Sequence, residues 1–314
     1  AIEEVKKTKD SLKVTIKNKR NITTPIALYG LKNNEITYKK WFSNIKDTLT
    51  VTTPKGVFDQ LILNYEKIYP EYNTLNNYYN TNKKFFNKPL KFSFIKDAKA
   101  PNYNQVFYQP RFSYNYYDGL ILGVKLHNKP LIKRNLIAKF LPGYATKSNK
   151  VNGSFSILYN QFFEDTDIYK ISYGIAGNTL QYAPGLSYSS LIPYVSLQFK
   201  RKSLRDATSK FISAKVVHID KEILPVTAKT EQDNYSVLSL SYNYINPDII
   251  KETRFNLNTE IAKNFSKVSA DFRYRKLTST DTQLDFRVFA GAFLKNNSEG
   301  DYFSFGLDRA NDYL

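Results

Sequence analysis

Apolar and polar side chains alternate along much of the chain, which is the pattern of β-strands whose two faces meet different surroundings. In residues 119–129, "GLILGVKLHNK", one side of an extended chain carries Leu120, Leu122, Val124 and Leu126. Between these residues and up to position 127, the other side carries an isoleucine, a glycine, a lysine and a histidine. The first face is wholly apolar, and it turns either to a protein core or to lipid.

Similar segments repeat from residue 105 to the end of the chain, and many of them have about the 9 to 11 residues that a tilted strand needs to cross a bilayer. Soluble sandwiches use strands nearer about 5 or 6 residues. The polar rows of these segments are rich in Ser, Gly, Asn and paired Arg and Asp, as in a crowded barrel interior. We therefore predict a transmembrane antiparallel β-barrel of about 12 or more strands over residues 105–314, with Leu120, Leu122, Val124 and Leu126 facing lipid. A large soluble protein with two packed sheets also alternates and stays open as an alternative.

The preceding residues predict two further parts of an all-β protein. Residues 1–72 contain short alternating segments such as "DSLKVTIKN", separated by Asn, Gly and Pro turns, and predict a small β-sandwich. Residues 73–104 are rich in Asn and Lys without a steady period, and they predict a linker with one short helix. The 25 Tyr and 22 Phe of the whole chain favour strands over helices.

The composition restricts the partners and the chemistry. The net charge of +18 attracts phosphate-bearing partners, but no zinc finger, basic helix or RNA-recognition motif organises the basic residues. We therefore expect no nucleic acid, and we expect outer-membrane lipid and lipopolysaccharide as partners. A soluble basic module that binds phosphate-rich polymers is a further alternative. The chain has no Cys, which excludes a thiolate nucleophile and cysteine-ligated metals. Because it also has no Met and no signal sequence, we expect a processed chain or part of a longer protein.

The residue types of common enzyme sites do not occur here in the required spacing. The two histidines, His127 and His218, belong to no H-E-x-x-H motif, and no G-x-S-x-G or Gly-rich phosphate loop is present. We predict that both histidines are lumen residues. We assign no catalytic, cofactor-binding or metal-binding residue to this chain, and we expect it to have no enzymatic activity by itself.

The most strongly charged group of residues lies near the C-terminal end. Asp271, Arg273, Arg275, Asp285 and Arg287 fall on two neighbouring segments and on one face. We predict that they form an ion-pair network in the barrel lumen, because carboxylates that alternate with arginines neutralise one another there. A hydrolase that uses paired carboxylates is the alternative.

Six segments together resemble a known family. They are "WFSNIKDTLTV" at 41–51, "YPEYNTLNN" at 69–77, "YNQVFYQPRFSYNYYDGLILGVKLHNK" at 103–129, "LPGYATKSNKVNGS" at 141–154, "FRVFAGAFL" at 286–294 and "FSFGLDRANDYL" at 303–314. In their order and number these segments resemble the C-terminal part of aminopeptidase N-like zinc metallopeptidases of Bacteroidota, the gluzincins. In that family a signal peptide and a catalytic region precede a β-sandwich and a barrel-like region of the outer membrane.

The resemblance implies a function of placement rather than of catalysis. The family's zinc ligands and catalytic glutamate have no counterpart here, so zinc is expected only in a catalytic domain that this sequence lacks. The chain is then the outer-membrane anchor, in a Gram-negative cell, of a larger protein that resembles a zinc aminopeptidase. The alternative is a non-catalytic barrel scaffold, or a component of an assembly or transport complex with other outer-membrane proteins. The family continues beyond the terminal "NDYL", which implies a barrel that is incomplete within these residues.

Overall fold

The structure is a computed structural model, and it describes residues 1–19, 22–71, 74–82, 88–95, 100, 103–129, 134–223, 234–279 and 282–297. The chain divides into two compact units, Ala1–Val106 and Phe107–Leu314. Strands dominate the described part of both units. The all-β class that the alternating pattern predicts is therefore confirmed.

The first unit contains short strands and one 3-10 helix. Strands β1, β2 and β5 form a three-stranded sheet, and β4, β3, β6 and β7 form a four-stranded sheet in that order. The bounds are Ile2–Lys7 (β1), Ser11–Lys17 (β2), Ile26–Lys32 (β3), Glu35–Phe42 (β4), Thr48–Pro54 (β5), Gln60–Leu63 (β6), Leu75–Asn77 (η1), Tyr78–Asn80 (β7) and Leu90–Phe94 (β8).

The alternating residues of both sheets meet in one apolar core. Leu12, Val14 and Ile16 project from β2, while Leu28 and Leu61 project from the other sheet, and all five are nearly inaccessible to solvent. Removing such side chains from water is the main term that stabilises a small β unit. The shared core agrees with the period of two in "DSLKVTIKN", while the sandwich remains a prediction.

The range 73–104 differs from the linker that its irregular sequence suggests. Its described residues contain the 3-10 helix η1 and the strands β7 and β8, and β7 pairs with β6 through Tyr78 and Ile62. These strands have three and five residues. Segments of this length are too short to show a period, which is why the sequence did not reveal them.

The second unit is built from long antiparallel strands. One sheet contains twelve strands in the unbroken order β19 to β8, so each strand pairs with its neighbours in sequence. The bounds are Asn104–Asn115 (β9), Gly119–His127 (β10), Leu136–Ala145 (β11), Lys150–Phe162 (β12), Ile168–Ala183 (β13), Leu186–Phe199 (β14), Ser209–Lys221 (β15), Asn234–Pro247 (β16), Lys251–Ala262 (β17), Phe265–Leu277 (β18) and Gln283–Asn296 (β19).

The pairings within the described residues do not close this sheet. Strands β19 and β8 are its two edges, and no ladder joins them. The structure thus contains the long antiparallel meander that the alternation predicts, without the closed barrel. Its eleven strands from β9 to β19 have 9 to 16 residues each.

A tight turn joins the first two long strands, as the Asp118-Gly119 pair predicts. Asn115 pairs with Gly119, which makes β9 and β10 a hairpin. Gly119 has φ of 70°, a left-handed conformation that glycine adopts without the clash of a Cβ atom. The hairpin prediction is confirmed.

The turn of this hairpin is fastened to a strand that is not its neighbour. The buried Asp118 accepts hydrogen bonds from the Ser148 hydroxyl at 2.8 Å and from the Gln181 N–H at 3.2 Å. The Asn115 side chain donates to the Gln181 carbonyl at 2.8 Å. Since three strands lie between β9 and β13 in the sheet, these bonds require the sheet to curl strongly. We call this group, Asn115, Asp118, Ser148 and Gln181, the turn clasp.

Candidate functional site

The two faces of the long-stranded sheet have opposite chemistry. We call the face that carries Leu122 the apolar face and the face that carries Arg273 the polar face. On the apolar face, strands β9 to β17 and β19 expose large hydrophobic side chains, among them Phe112, Tyr114, Leu120, Leu122, Phe140, Tyr144, Tyr159, Tyr173, Leu191, Ile212, Leu240, Leu257, Phe286 and Val288. Phe112 is 70% exposed and Tyr114 73% exposed. An apolar surface of this extent marks an interaction site rather than an ordinary solvated surface.

The strand register makes this apolar face continuous. Leu122 lies between Phe112 and Tyr144 on the adjacent strands, and Leu120 lies opposite Tyr114. Leu120 and Leu122 are 46% and 43% exposed, while Val124 and Leu126 on the same face are half-buried. All four residues singled out from the opening pattern therefore share the apolar face.

The polar face is less accessible and is joined by side-chain hydrogen bonds. Ser172 donates to Asn160 at 2.7 Å, and Asn256 donates to Asn243 at 2.6 Å. Ser213 and Ser241 lie 2.7 Å apart, oxygen to oxygen. Asn160 and Ser172 are each 5% exposed. Buried polar groups are tolerated when they are hydrogen-bonded, so these pairs stabilise the polar face.

A buried ion pair lies on the same face. Glu260 accepts from the Lys267 ammonium at 3.1 Å, and the two side chains are 1% and 12% exposed. Asn258 also donates to Glu260, at 3.2 Å. The pair joins β17 to β18, where Glu260 lies directly opposite Lys267. Alternation predicts that Glu260 lies on the polar face, but only the strand register shows that its cation is Lys267.

Four of the five residues predicted to form the network take part in ion pairs in the structure. Asp271 accepts from Arg273 at 3.3 Å and from Arg287 at 2.6 Å. Arg275 donates to Glu252 at 2.6 Å, and Arg254 also binds Glu252. Asp285 accepts a hydrogen bond from the Gln283 side chain. All these residues lie on the polar face, toward the end of the sheet that carries the β16–β17 and β18–β19 turns.

Sequence reasoning missed Glu252 and Arg254, which complete this group. Both lie on β17, and the strand pairing sets Glu252 opposite Arg275 and Arg254 opposite Arg273. The signal for both residues is present in the sequence, because Glu252 and Arg254 alternate with other residues at a period of two in the segment before β18. The residues Glu252, Arg254, Asp271, Arg273, Arg275, Asp285 and Arg287 form what we call the arginine cluster.

The arginine cluster borders a cavity of about 350 Å³. Its lining includes all four arginines together with Glu252 and Asp285. The Arg254 and Arg273 side chains are 57% and 51% exposed. The guanidinium groups therefore face an accessible space and not a sealed core.

The two histidines lie on opposite faces. His127 is buried on the polar face, where its ring centroid lies 5.4 Å from that of Phe107. His218 pairs with Leu191 and Ser236 and is exposed on the apolar face, with Nδ1 2.7 Å from the Ser236 hydroxyl. The lumen prediction is therefore wrong for His218. In "SAKVVHID" the alternation places His218 on the same face as Ala214 and Val216. The prediction failed because it relied on the polarity of histidine and not on this alternation.

His218 also borders a groove of about 840 Å³ on the apolar face. Phe140, Phe155 and Leu191 line one part of it, and Asp220 and Asn234 line another. The groove thus lies where the apolar face gives way to polar side chains toward the strand ends. Among the described residues, no group of three or more His, Asp or Glu side chains is placed to hold a metal ion.

Two acids at the ends of β15 have altered acidity. Asp206, before the strand, accepts hydrogen bonds from Thr208 N–H at 2.8 Å and from Lys202 N–H at 3.1 Å. These bonds and one from the Thr208 side chain lower the pKa of Asp206 to about 2. Glu222, after the strand, accepts hydrogen bonds from the Ser187 side chain and from the Ser187 N–H, the latter at 2.7 Å, and these bonds lower the pKa of Glu222 below its usual value. Both acids therefore stabilise their turns as carboxylates.

Comparison with known proteins returns no match. No protein-family model, no curated protein and no solved structure matches this chain. In the part of the chain that the structure describes, no helix is long and apolar enough to cross a membrane. The fold and its two faces define the class, an all-β protein with a long-stranded antiparallel meander. The resemblance to the gluzincins remains an expectation from the sequence.

Proposed function

We propose that this chain is an outer-membrane β-barrel anchor of a larger protein whose preceding part resembles a zinc aminopeptidase. The observation that carries the membrane part of this proposal is the distribution of side chains on the long-stranded sheet, which is the reverse of that in a soluble protein. Large hydrophobic side chains are exposed on one face of the sheet, whereas hydrogen-bonded polar side chains such as Asn160, Ser172 and Glu260 are buried on the other. Lipid is the surrounding that favours this arrangement, because it replaces water around the apolar side chains.

The lengths of the strands support the same proposal. The shortest of the eleven, β10, has nine residues, and the longest, β13, has 16. About 9 to 11 tilted residues are enough to cross the hydrocarbon core, so every one of these strands is long enough. The tight turns at residues 116–118 and 184–185 would add little polar surface to the membrane boundary.

The proposal includes closure of the sheet in the membrane. A free strand edge in lipid would leave N–H and C=O groups without partners, at a cost of several kcal/mol for each group. The pairings described above leave such edges at β8 and β19. In the proposed state the two edges are therefore satisfied by pairing that completes the barrel.

The remaining parts of the proposal follow from charge and from the family resemblance. A net charge of +18 suits a surface of anionic lipid and lipopolysaccharide phosphates, which attract lysine and arginine. The zinc aminopeptidase-like partner domain rests on the resemblance alone. In this proposal the chain itself performs no catalysis, and it determines where the larger protein acts.

Selective labelling tests the membrane proposal. Because the chain has no Cys, single cysteines introduced as Leu122→Cys and Leu204→Cys give unambiguous sites. Leu204 lies in the β14–β15 connection and is fully exposed, whereas Leu122 lies on the apolar face. In lipid vesicles we expect a membrane-impermeant maleimide to label the cysteine at 204 and to leave the one at 122 unlabelled. Rapid labelling at both positions, together with solubility without detergent, would contradict the proposal.

The mass and N-terminal sequence of the protein from native membranes test the anchor part. An upstream H-E-x-x-H motif with a downstream glutamate is the expected result. A polypeptide that begins near Ala1 and lies in a stable complex with other membrane proteins would instead favour the non-catalytic scaffold. These outcomes concern the larger protein and leave the labelling test independent.

A further inference from the structure

The arginine cluster carries like charges directly opposite one another on three adjacent strands. The register pairs Arg254 with Arg273, and Arg273 with Arg287. Side chains at such positions lie about 4.5–5.5 Å apart at Cβ, and like charges there destabilise a sheet. These three arginines therefore require negative charge close to them.

The carboxylates of the cluster supply only part of that charge. Glu252 serves Arg254 and Arg275, and Asp271 serves Arg273 and Arg287. The third acid, Asp285, accepts a hydrogen bond from Gln283. In the contacts described above, the four guanidinium groups meet two carboxylates, and the seven side chains of the cluster together carry an excess of one positive charge.

The cavity beside the cluster has the size and the donors for a small anion. Its volume of about 350 Å³ accommodates a group with several oxygens, and all four arginines line it. A guanidinium has five N–H donors in a planar fork that matches phosphate oxygens. Arg273 directs two of its donors at Asp271. A planar guanidinium of this kind suits an oxyanion that is held between neighbouring arginines.

From these observations we infer that the arginine cluster is a binding site for a phosphate-type oxyanion, contacted chiefly by Arg254, Arg273 and Arg287. The site lies within the strand pairings of β17, β18 and β19, so the inference does not depend on membrane insertion. The oxyanion is either a soluble phosphate compound or the headgroup of a phospholipid. The contrasting view is that the ion pairs only brace the strands.

Calorimetric titration of the purified chain in detergent with inorganic phosphate tests the site. Ionic strength is kept constant with chloride. We expect saturable binding at one site and an affinity lower by about tenfold in Arg273→Gln, since the substitution removes a charged donor from the oxyanion. Arg205→Gln, in the exposed β14–β15 connection, makes the same charge change outside the site and should bind as the unaltered chain does. Absence of saturable binding, or equal loss in both variants, would overturn the inference.

Asp271→Asn separates anion binding from bracing. Removal of this carboxylate releases Arg273 and Arg287, so phosphate should bind several times more tightly and should restore the heat resistance that the substitution removes. If the ion pairs only brace the strands, the variant loses heat resistance and phosphate restores none of it. Arg254→Gln provides a second arginine variant if Arg273→Gln does not fold.

Two further ligands identify the source of the oxyanion. Glycerol 3-phosphate should match inorganic phosphate if the physiological ligand is a soluble phosphate compound. Short-chain phosphatidic acid should bind more tightly than both if the ligand is a lipid headgroup. Either result supports the oxyanion site, whereas failure of all three phosphates to bind would contradict it.

Discussion

At the scale of single residues, the polar face depends on partners that lie on the next strand. Glu260 is the clearest case, because its carboxylate is almost inaccessible and its cation, Lys267, projects from the opposite position of β18. A carboxylate in such a place is tolerated only while its charge is compensated. The same dependence applies to Glu252 and Asp271, each of which holds two arginines.

Breaking the buried pair should be costly. Lys267→Met leaves Glu260 without its cation, and we expect the free energy of unfolding to fall by about 3 to 5 kcal/mol. The double variant Glu260→Gln with Lys267→Met should recover most of that loss, because no uncompensated charge remains. Urea unfolding of the detergent-solubilised chain, followed by circular dichroism, measures both variants. A double variant no more stable than the single one would contradict this account of the pair.

The Asp206 carboxylate should titrate at an unusually low pH. Its pKa lies near 2 instead of 3.8, because N–H and hydroxyl groups of Thr208 and the N–H of Lys202 bind the ionised form. A lowered pKa in the folded state means that this stabilisation is present above pH 3.8 and is lost as the pH falls through about 2. The pH dependence of the Thr208 amide resonance should show this midpoint. Thr208→Val removes the hydroxyl donor and should raise the midpoint toward the usual value.

At the scale of elements, the period of two predicts which face each residue occupies, and it fails where the register or the chemistry of one residue decides. Leu120, Leu122 and the Asp118-Gly119 turn follow from the sequence because alternation and turn residues are local signals. The pairing of Arg275 with Glu252 does not follow, since alternation fixes the face of a strand but not its offset from the next. The polarity of His218 predicts a place on the polar face, whereas the register puts this residue on the apolar face, opposite Leu191.

A charge on the apolar face should distinguish lipid from water as the surrounding of β17. In a bilayer, Leu257→Arg should destabilise the folded chain by about 2 to 4 kcal/mol if the residue lies near the membrane centre. On a protein surrounded by water, an exposed leucine such as this one, 40% accessible, should accept arginine with a change within about 0.5 kcal/mol. The measurement is urea unfolding in lipid vesicles. Leu204→Arg, outside the strands, serves as the control and should have little effect in either case.

At the scale of the whole molecule, the two units have different surfaces and should behave differently when separated. The first unit buries large aliphatic residues such as Leu12 and Leu61 in a core. The second unit has a small buried cluster that contains Val217 and Ile219, and it exposes many other large apolar residues on the apolar face. The exposed apolar area of the second unit, and not the basic charge that both units carry, should therefore determine membrane association.

Removal of the second unit tests this assignment. The fragment of residues 1–106 corresponds to the first compact unit, and we expect it to remain in solution without detergent. The full chain should sediment with membranes after carbonate extraction. Retention of the fragment with carbonate-washed membranes would show that the first unit contributes an anchor of its own.

The turn clasp has a consequence for the order of assembly. Asp118 and Gln181 are 63 positions apart in the chain, so closing their contact carries a large loop entropy unless intermediate strands have already formed. Pairing of β10 through β13 shortens that effective loop one hairpin at a time, because each strand joins its predecessor. We therefore expect the turn clasp to form late in folding, after strands β10 to β13 have paired. In kinetic terms, a chain without the Asp118 side chain would form its hairpins at the usual rate and would unfold faster from the finished state.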